Sequence, residues 1–168
     1  MSNNFEEAFQ KTLGYEGFLS DDVLDKGGLT KYGISQQSYP NLDIRNLTID
    51  DAKKIYKRDY WDVCLGDSIK DKIIAMQVFD IAVNMGTGGA GFIVQRAINS
   101  QLPKGVSTSV DGAIGKATIN KLNSLNPKDI NNTIIRYRAR RYAEIVDKNE
   151  TQTAFLVSWL DRCFGYIY

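Results

Sequence analysis

Histidine does not occur anywhere in this 168-residue chain. Without imidazole there can be no Ser-His-Asp or Cys-His hydrolase, and no zinc hydrolase built on imidazole ligands. Cysteine is almost as scarce. Cys64 and Cys163 are too few for a thiolate metal site and read as free core thiols, although one disulfide between them stays open. Long apolar runs are missing, so nothing approaches the length of a membrane span. The start, Met1-Ser2-Asn3-Asn4-Phe5-Glu6-Glu7, lacks a basic region followed by an apolar stretch, so no secretory signal is expected. An excess of charge of either sign is also lacking. With 21 Lys and Arg against 20 Asp and Glu, the formal net charge is +1, and no global field marks a nucleic-acid or membrane-surface partner. Acid-base chemistry in this chain must therefore rest on carboxylates, tyrosine or lysine.

What is present is ordinary for a folded protein: 43% hydrophobic and 24% charged residues, enough for one domain with a real core. Helical periodicity dominates. A first helix is expected from Asn3, with Glu6 completing a capping box, to Tyr15 or Glu16, where Gly17 suits a C-terminal cap. A second opens with Thr48 and Asp51 and runs from Ile49 to about Trp61. Asp71 to Met85 is apolar nearly all round and reads as the buried central helix. Further helices are expected over 90–101, 116–125, 126–147 (with Asn126 as cap and Pro127 in the first turn) and 151–164. In the last of these, Phe155, Leu156, Trp159, Leu160 and Cys163 share a side and read as core. One small strand region fits residues 18–35, where Gly27-Gly28 signals a hairpin and residues 29–34 alternate loosely.

Two glycine clusters invite a nucleotide-binding reading and fail it. Gly86-Thr87-Gly88-Gly89-Ala90-Gly91 has the letters of a dinucleotide fingerprint without the strand before it or alternating strands and helices around it. Gly112 to Thr118 resembles a phosphate loop but has Val110 where its first glycine should stand. Both clusters are expected to end helices and let backbones approach. Arg136, Arg138, Arg140 and Arg141, interleaved with Tyr137 and Tyr142, read by default as a solvated face, with an anion-binding groove wall as the alternative.

The most informative position is Glu16. At the helical step, Phe5, Phe9, Leu13 and Glu16 fall within an arc of about 80°, so this carboxylate continues an apolar stripe. Low dielectric and the negative end of the helix dipole both favour its protonated form, and Asp25 would add to this if the turn folds it back. Those are the conditions for a general acid near neutral pH. The alternative is a glutamate that ends a helix and points into water. Asp80 and Asn84, four apart, give the central helix one polar edge, which is either a satisfied core contact or the lining of a cleft.

Glu16, Gly17, Asp22, Asp25, Gly27, Gly28 and Thr30, followed by Tyr32-Gly33-Ile34, stand at the offsets of the N-acetylmuramidase domain of glycoside hydrolase family 108, which this run resembles. Further segments are similar in the same order: Ala52 through Ile55-Tyr56 to Asp59-Tyr60-Trp61, then Phe79-Asp80 to Asn84 and Gly86. Val94-Gln95-Arg96-Ala97 and Asp111 to Thr118 follow, similar to the stretch assigned to peptidoglycan binding, and Ser158 to Arg162 resembles the family's closing motif. Phe18, Leu19, Val23 and Ser158 depart from the family pattern.

The resemblance implies a mainly α, lysozyme-like helical domain with one small β-hairpin region. It would be a single domain over 1–168, with the catalytic motif and a small lobe in 1–70 and a helical peptidoglycan-binding-like part in 71–168. It implies an endolysin-like muramidase in which Glu16 is the general acid, Asp25 stabilises the oxocarbenium-like state or positions water, and Thr30 orients that water. Tyr32, Asp80, Asn84 and Gln95 are the expected substrate-binding residues. A lytic transglycosylase using Glu16 alone, and a non-catalytic peptidoglycan-binding or secretion accessory protein, are the alternatives. No cofactor and no metal are expected. The expected partner is the peptidoglycan glycan strand, with no nucleic acid and no stable membrane association. A monomer is expected, made in the cytoplasm and reaching the wall through a separate holin or an export system.

Overall fold

The computed structural model describes residues 3–16, with the backbone alone for Asn3, Tyr15 and Glu16, and residues 29–168. Among them, helix carries nearly all the regular structure. The order is α1 (Asn3–Glu16), β1 (Thr30–Lys31), β2 (Ile34–Ser35), α2 (Ile49–Tyr56), α3 (Lys72–Asn99), α4 (Lys116–Leu122), α5 (Pro127–Lys148) and α6 (Thr153–Phe164). The mainly α class expected from the periodicity is the observed one.

The caps of α2 and α5 are where the sequence places them and Asp71 adds one to α3, while the side chain of Asn3, the cap expected for α1, lies outside the described residues. Thr48 accepts from the Asp51 N–H, Asp71 from Ile74, and Asn126 from Lys128 and Asp129, each supplying one acceptor to the orphan donors of a first turn. The second helix differs from expectation in its last part, where Lys57–Trp61 widens into a π-helical turn. That turn seats Trp61 in the core, edge-on to Phe5 and Phe79 at 5.5 and 5.8 Å. Its indole N–H donates to Asp67 at 2.9 Å. Gly66 lies flat against the same ring, and a Cβ there would stand 2.4 Å from it.

The strand region also differs. Residues 29–34 do not form one strand. The chain reverses at Tyr32 and Gly33, both at positive φ (52° and 75°), and pairs Thr30 with Ser35 and Lys31 with Ile34. This is a two-residue hairpin turn of the kind that matches strand twist, with a tyrosine in a place that usually takes Asn or Gly. The Tyr56 hydroxyl donates to the Tyr32 carbonyl at 3.1 Å and ties the turn to α2. Gly27 and Gly28, the expected hairpin signal, lie outside the described residues.

The two helices expected over 71–85 and 90–101 form one run, α3, broken at Gly86 (φ 79°, ψ 158°). Only glycine adopts that conformation readily, so Gly86 redirects the run at its middle. The other glycines of the cluster serve close packing. A Cβ on Gly91 would lie 1.9 Å from the Gly112 carbonyl oxygen, so the two glycine clusters rest backbone to backbone.

One core runs through the described residues from Phe5, Phe9 and Leu13 in α1 to Ile130 and Ile134 in α5, and it includes both halves of α3. A smaller cluster, Ile135, Tyr142 and Cys163, packs with Met85, Leu156 and Trp159 between α3, α5 and α6. The apolar side of α6 is thus only half used. Cys163 is fully buried, whereas Phe155, expected as core, is 53% exposed. Both cysteines are free, and burial pushes the Cys64 thiol up to about 12 and Cys163 up to about 11. Among the described residues no helix is long and apolar enough to cross a membrane.

Candidate active site

The expected catalytic residues fall at the edge of what is described. The Glu16 backbone closes α1, while its side chain and Asp25 lie outside the described residues. Thr30 is half-buried in β1, two residues before the strained turn at Tyr32.

Asp80 is in the interior. Its side chain is fully buried and collects donors from three elements. Arg138 of α5 reaches Oδ2 at 2.5 Å, Arg162 of α6 reaches Oδ1 and Oδ2 at 2.9 and 3.0 Å, and the Thr12 hydroxyl of α1 reaches Oδ1 at 3.2 Å. This geometry is the satisfied core contact that the polar edge of α3 left open. It also corrects the default reading of the arginine cluster, since Arg138 is 0% exposed rather than solvated. The reason is tertiary: α5 turns this one position toward a carboxylate 58 residues away in the chain. Burial, the largest single influence, pulls the Arg138 guanidinium down, but Asp80 together with Tyr142 and Cys163 more than offsets it, so the group stays cationic.

From this network a relay leads outward. Arg138 Nε donates to the Tyr142 hydroxyl at 3.1 Å, and Tyr142 donates to Asn84 Oδ1 at 2.7 Å. Because the tyrosine oxygen already accepts a hydrogen bond from a donor-only guanidinium, its own hydrogen must go to an acceptor, which orients the Asn84 amide oxygen inward. Burial pushes the Tyr142 hydroxyl above its ordinary range, so it remains a donor. The Asn84 amide N–H groups are then left for the cavity that Asn84 lines.

That cavity, about 670 Å³, lies between α3, α5 and α6. Arg96, Arg140, Arg141 and Glu144 give it charge, and Tyr137, Tyr142 and Trp159 give it aromatic surface. Tyr142 and Trp159 stack at 4.9 Å and 20°, and Phe155 extends the column at 5.9 Å. Of the four expected substrate-binding residues, Asn84 is the one that lines this cavity. Tyr32 stands on the hairpin turn.

Gln95 is 1% exposed and holds the loop before α4. Its Nε2 donates to Asp111 Oδ1 at 2.8 Å and to the Ala113 carbonyl at 3.0 Å, and its Oε1 accepts from the Gly112 N–H at 2.9 Å. Gln95, Ala113 and Ser109 together hold the Asp111 carboxyl below its usual range. Arg96 and Trp159 were not among the expected site residues, and Arg140 and Arg141 stood there only through the alternative of an anion-binding groove wall. Arginines and tyrosines alternating along one helix were the available signal, and it could not show which of them face a common hollow. Among the described residues no cluster of acidic or sulfur side chains could hold a metal ion.

With this geometry in place, the comparisons with known proteins are specific. The family described as Glycosyl hydrolase 108 matches residues 9–86, and the family described as Predicted Peptidoglycan domain matches residues 90–164. The two matches meet in the middle of α3, at the break at Gly86, although a single core spans both. Among solved structures, that of Brucella abortus SagA is similar to this chain at 22% identity. It covers 96% of this chain and 94% of its own, with a TM-score of 0.67, a likeness in fold. No curated protein matches. A glycosyl hydrolase match that contains Glu16, Asp25, Thr30 and Asn84, continued by a peptidoglycan domain that carries the arginines of the cavity, makes residues 9–86 a glycoside hydrolase family 108 domain and the chain a peptidoglycan hydrolase.

Proposed function

We propose that this protein is an N-acetylmuramidase that hydrolyses the β-1,4 bond between N-acetylmuramic acid and N-acetylglucosamine. The observation that carries the reading is the family match over residues 9–86, which includes Glu16 in the last turn of α1 and Thr30 in the hairpin. Glu16 protonates the glycosidic oxygen as the bond from the anomeric carbon breaks. Asp25 stabilises the oxocarbenium-like carbon or positions the incoming water, and Thr30 orients that water. The water oxygen bonds to the anomeric carbon, its proton passes to a carboxylate, and the muramic acid leaves with a free reducing end.

The surroundings favour such an arrangement. Thr12 on α1 contacts Asp80 on α3. Glu16 lies four residues past the first and Asn84 four past the second, so each backbone is about 6 Å along its helix from the shared contact. That contact ties the helix that ends at Glu16 to the helix whose Asn84 lines the cavity. The wall is reached after release through a holin or by an export system.

The test is mass spectrometry of soluble fragments from purified peptidoglycan digested with wild type and with Glu16→Gln. Reducing-end muramic acid from the wild type alone is the expected result. Anhydro-muramic ends would assign a lytic transglycosylase, and no fragments from either protein would leave a binding protein.

A further inference from the structure

The arginine-lined cavity is more basic than a neutral sugar chain requires. Arg96, Arg140 and Arg141 face it against a single acid, Glu144. Glu144 is shared at the surface, 3.3 Å from Arg141 and 3.7 Å from Arg140, and Arg140 is 77% exposed in its side chain. Exposed pairs of this kind are weak and yield readily to a better-placed anion. Arg96 makes no ion pair among the described residues.

Beyond Tyr137 and Arg140 a second hollow of about 300 Å³ continues the groove and adds Arg136 to its wall. The whole is therefore elongated, cationic along one side, aromatic at Tyr142 and Trp159, and supplied with the fixed amide donors of Asn84. Guanidinium forks pair with carboxylates, and the amide donors suit peptide carbonyls.

We propose that this groove binds the acidic peptide carried on the muramic acid, through Arg140, Arg141 and Arg96, rather than the glycan itself. The inference rests on the reading of the chain as a peptidoglycan hydrolase and names the part of the polymer that the groove takes. Once its lactyl carboxyl is in amide linkage to the peptide, the glycan has no charge for three arginines to meet. The peptide keeps free carboxylates. A cavity of about 670 Å³ also suits a few residues rather than a whole strand.

Calorimetric titration tests this with two probes: a disaccharide-tetrapeptide with free carboxyls, and the same molecule with its carboxyls amidated. Wild type should bind the free acid about tenfold or more tightly than the amide, the preference shrinking as salt is raised. Arg140→Gln/Arg141→Gln, with its fold checked by circular dichroism, should lose most of that preference, Arg96 alone remaining. Equal binding of both probes by wild type, binding of neither, or a preference undiminished in the double variant would each overturn the assignment. Digestion of intact sacculi by the wild type separates the two readings. Release of fragments without a carboxylate preference removes only the peptide groove, whereas no release and no binding removes both.

Discussion

Replacing Asp80 by Asn should be among the most damaging conservative changes in this chain. The carboxylate is fully buried and faces Arg138, 0% exposed, and Arg162, whose side chain is 7% exposed. A unit charge pair at about 4 Å is worth roughly 4 kcal/mol at an effective dielectric of 20, and Asp80 engages two such partners. The amide recovers part of this through its dipole and keeps one acceptor, but it takes the carboxylate charge from Arg162 and leaves the fully buried Arg138 guanidinium with no counter-charge. Breaking a buried ion pair from one side costs about 3–5 kcal/mol, a large share of the roughly 5–15 kcal/mol that stabilises a domain. At 2–4 °C per kcal/mol for a chain of this size, Tm should fall by roughly 6–20 °C. Urea unfolding followed by circular dichroism gives the free energy, and Trp159 fluorescence reports the cleft, because Tyr142, which stacks on Trp159, accepts from Arg138. A loss below about 1 kcal/mol would refute the reasoning, since it would mean that the arginines find water or other acceptors once the carboxylate charge is gone.

Two other predictions test the local geometry. Gly91→Ala should cost about 1–3 kcal/mol, because its Cβ would meet the Gly112 carbonyl at 1.9 Å and push two backbones apart. Gly88→Ala, with nothing within 4 Å, should be neutral or stabilising by up to about 1 kcal/mol, and urea midpoints of the pair check the contrast. The Asp111 carboxyl, held down by Gln95, Ala113 and Ser109, should titrate below the ordinary aspartate range in the folded protein. A depressed folded value means that its stabilising contribution is present above the unfolded value and is lost as pH falls through the folded one. Side-chain carboxyl chemical shifts would show it, and a midpoint equal to or above that of an unperturbed aspartate would contradict the hydrogen bonding described.

The sequence alone determined what is local. Absence of histidine leaves carboxylates, tyrosine or lysine for acid-base chemistry, and the run that holds Glu16, Asp25 and Thr30 falls within the glycosyl hydrolase match over residues 9–86. Caps such as Thr48, Asp71 and Asn126 act through neighbours two or three residues away, so a short window contains both partners. Glycines 86 to 91 and 112 were legible as places of close approach, though not as partners of each other.

Tertiary structure decided the rest. Asp80, Arg138 and Arg162 are separated by 58 and 82 residues, and nothing in a helical pattern says that three helices converge on one carboxylate. Arg138 and Arg140 are two residues apart on the same helix. The first is a buried counter-ion and the second lines a cleft, because the packing of α5 against α3 and α6 sets which positions lose water. Periodicity gives a residue its angle about its own helix, whereas burial and charge pairing depend on what the other helices bring to that angle.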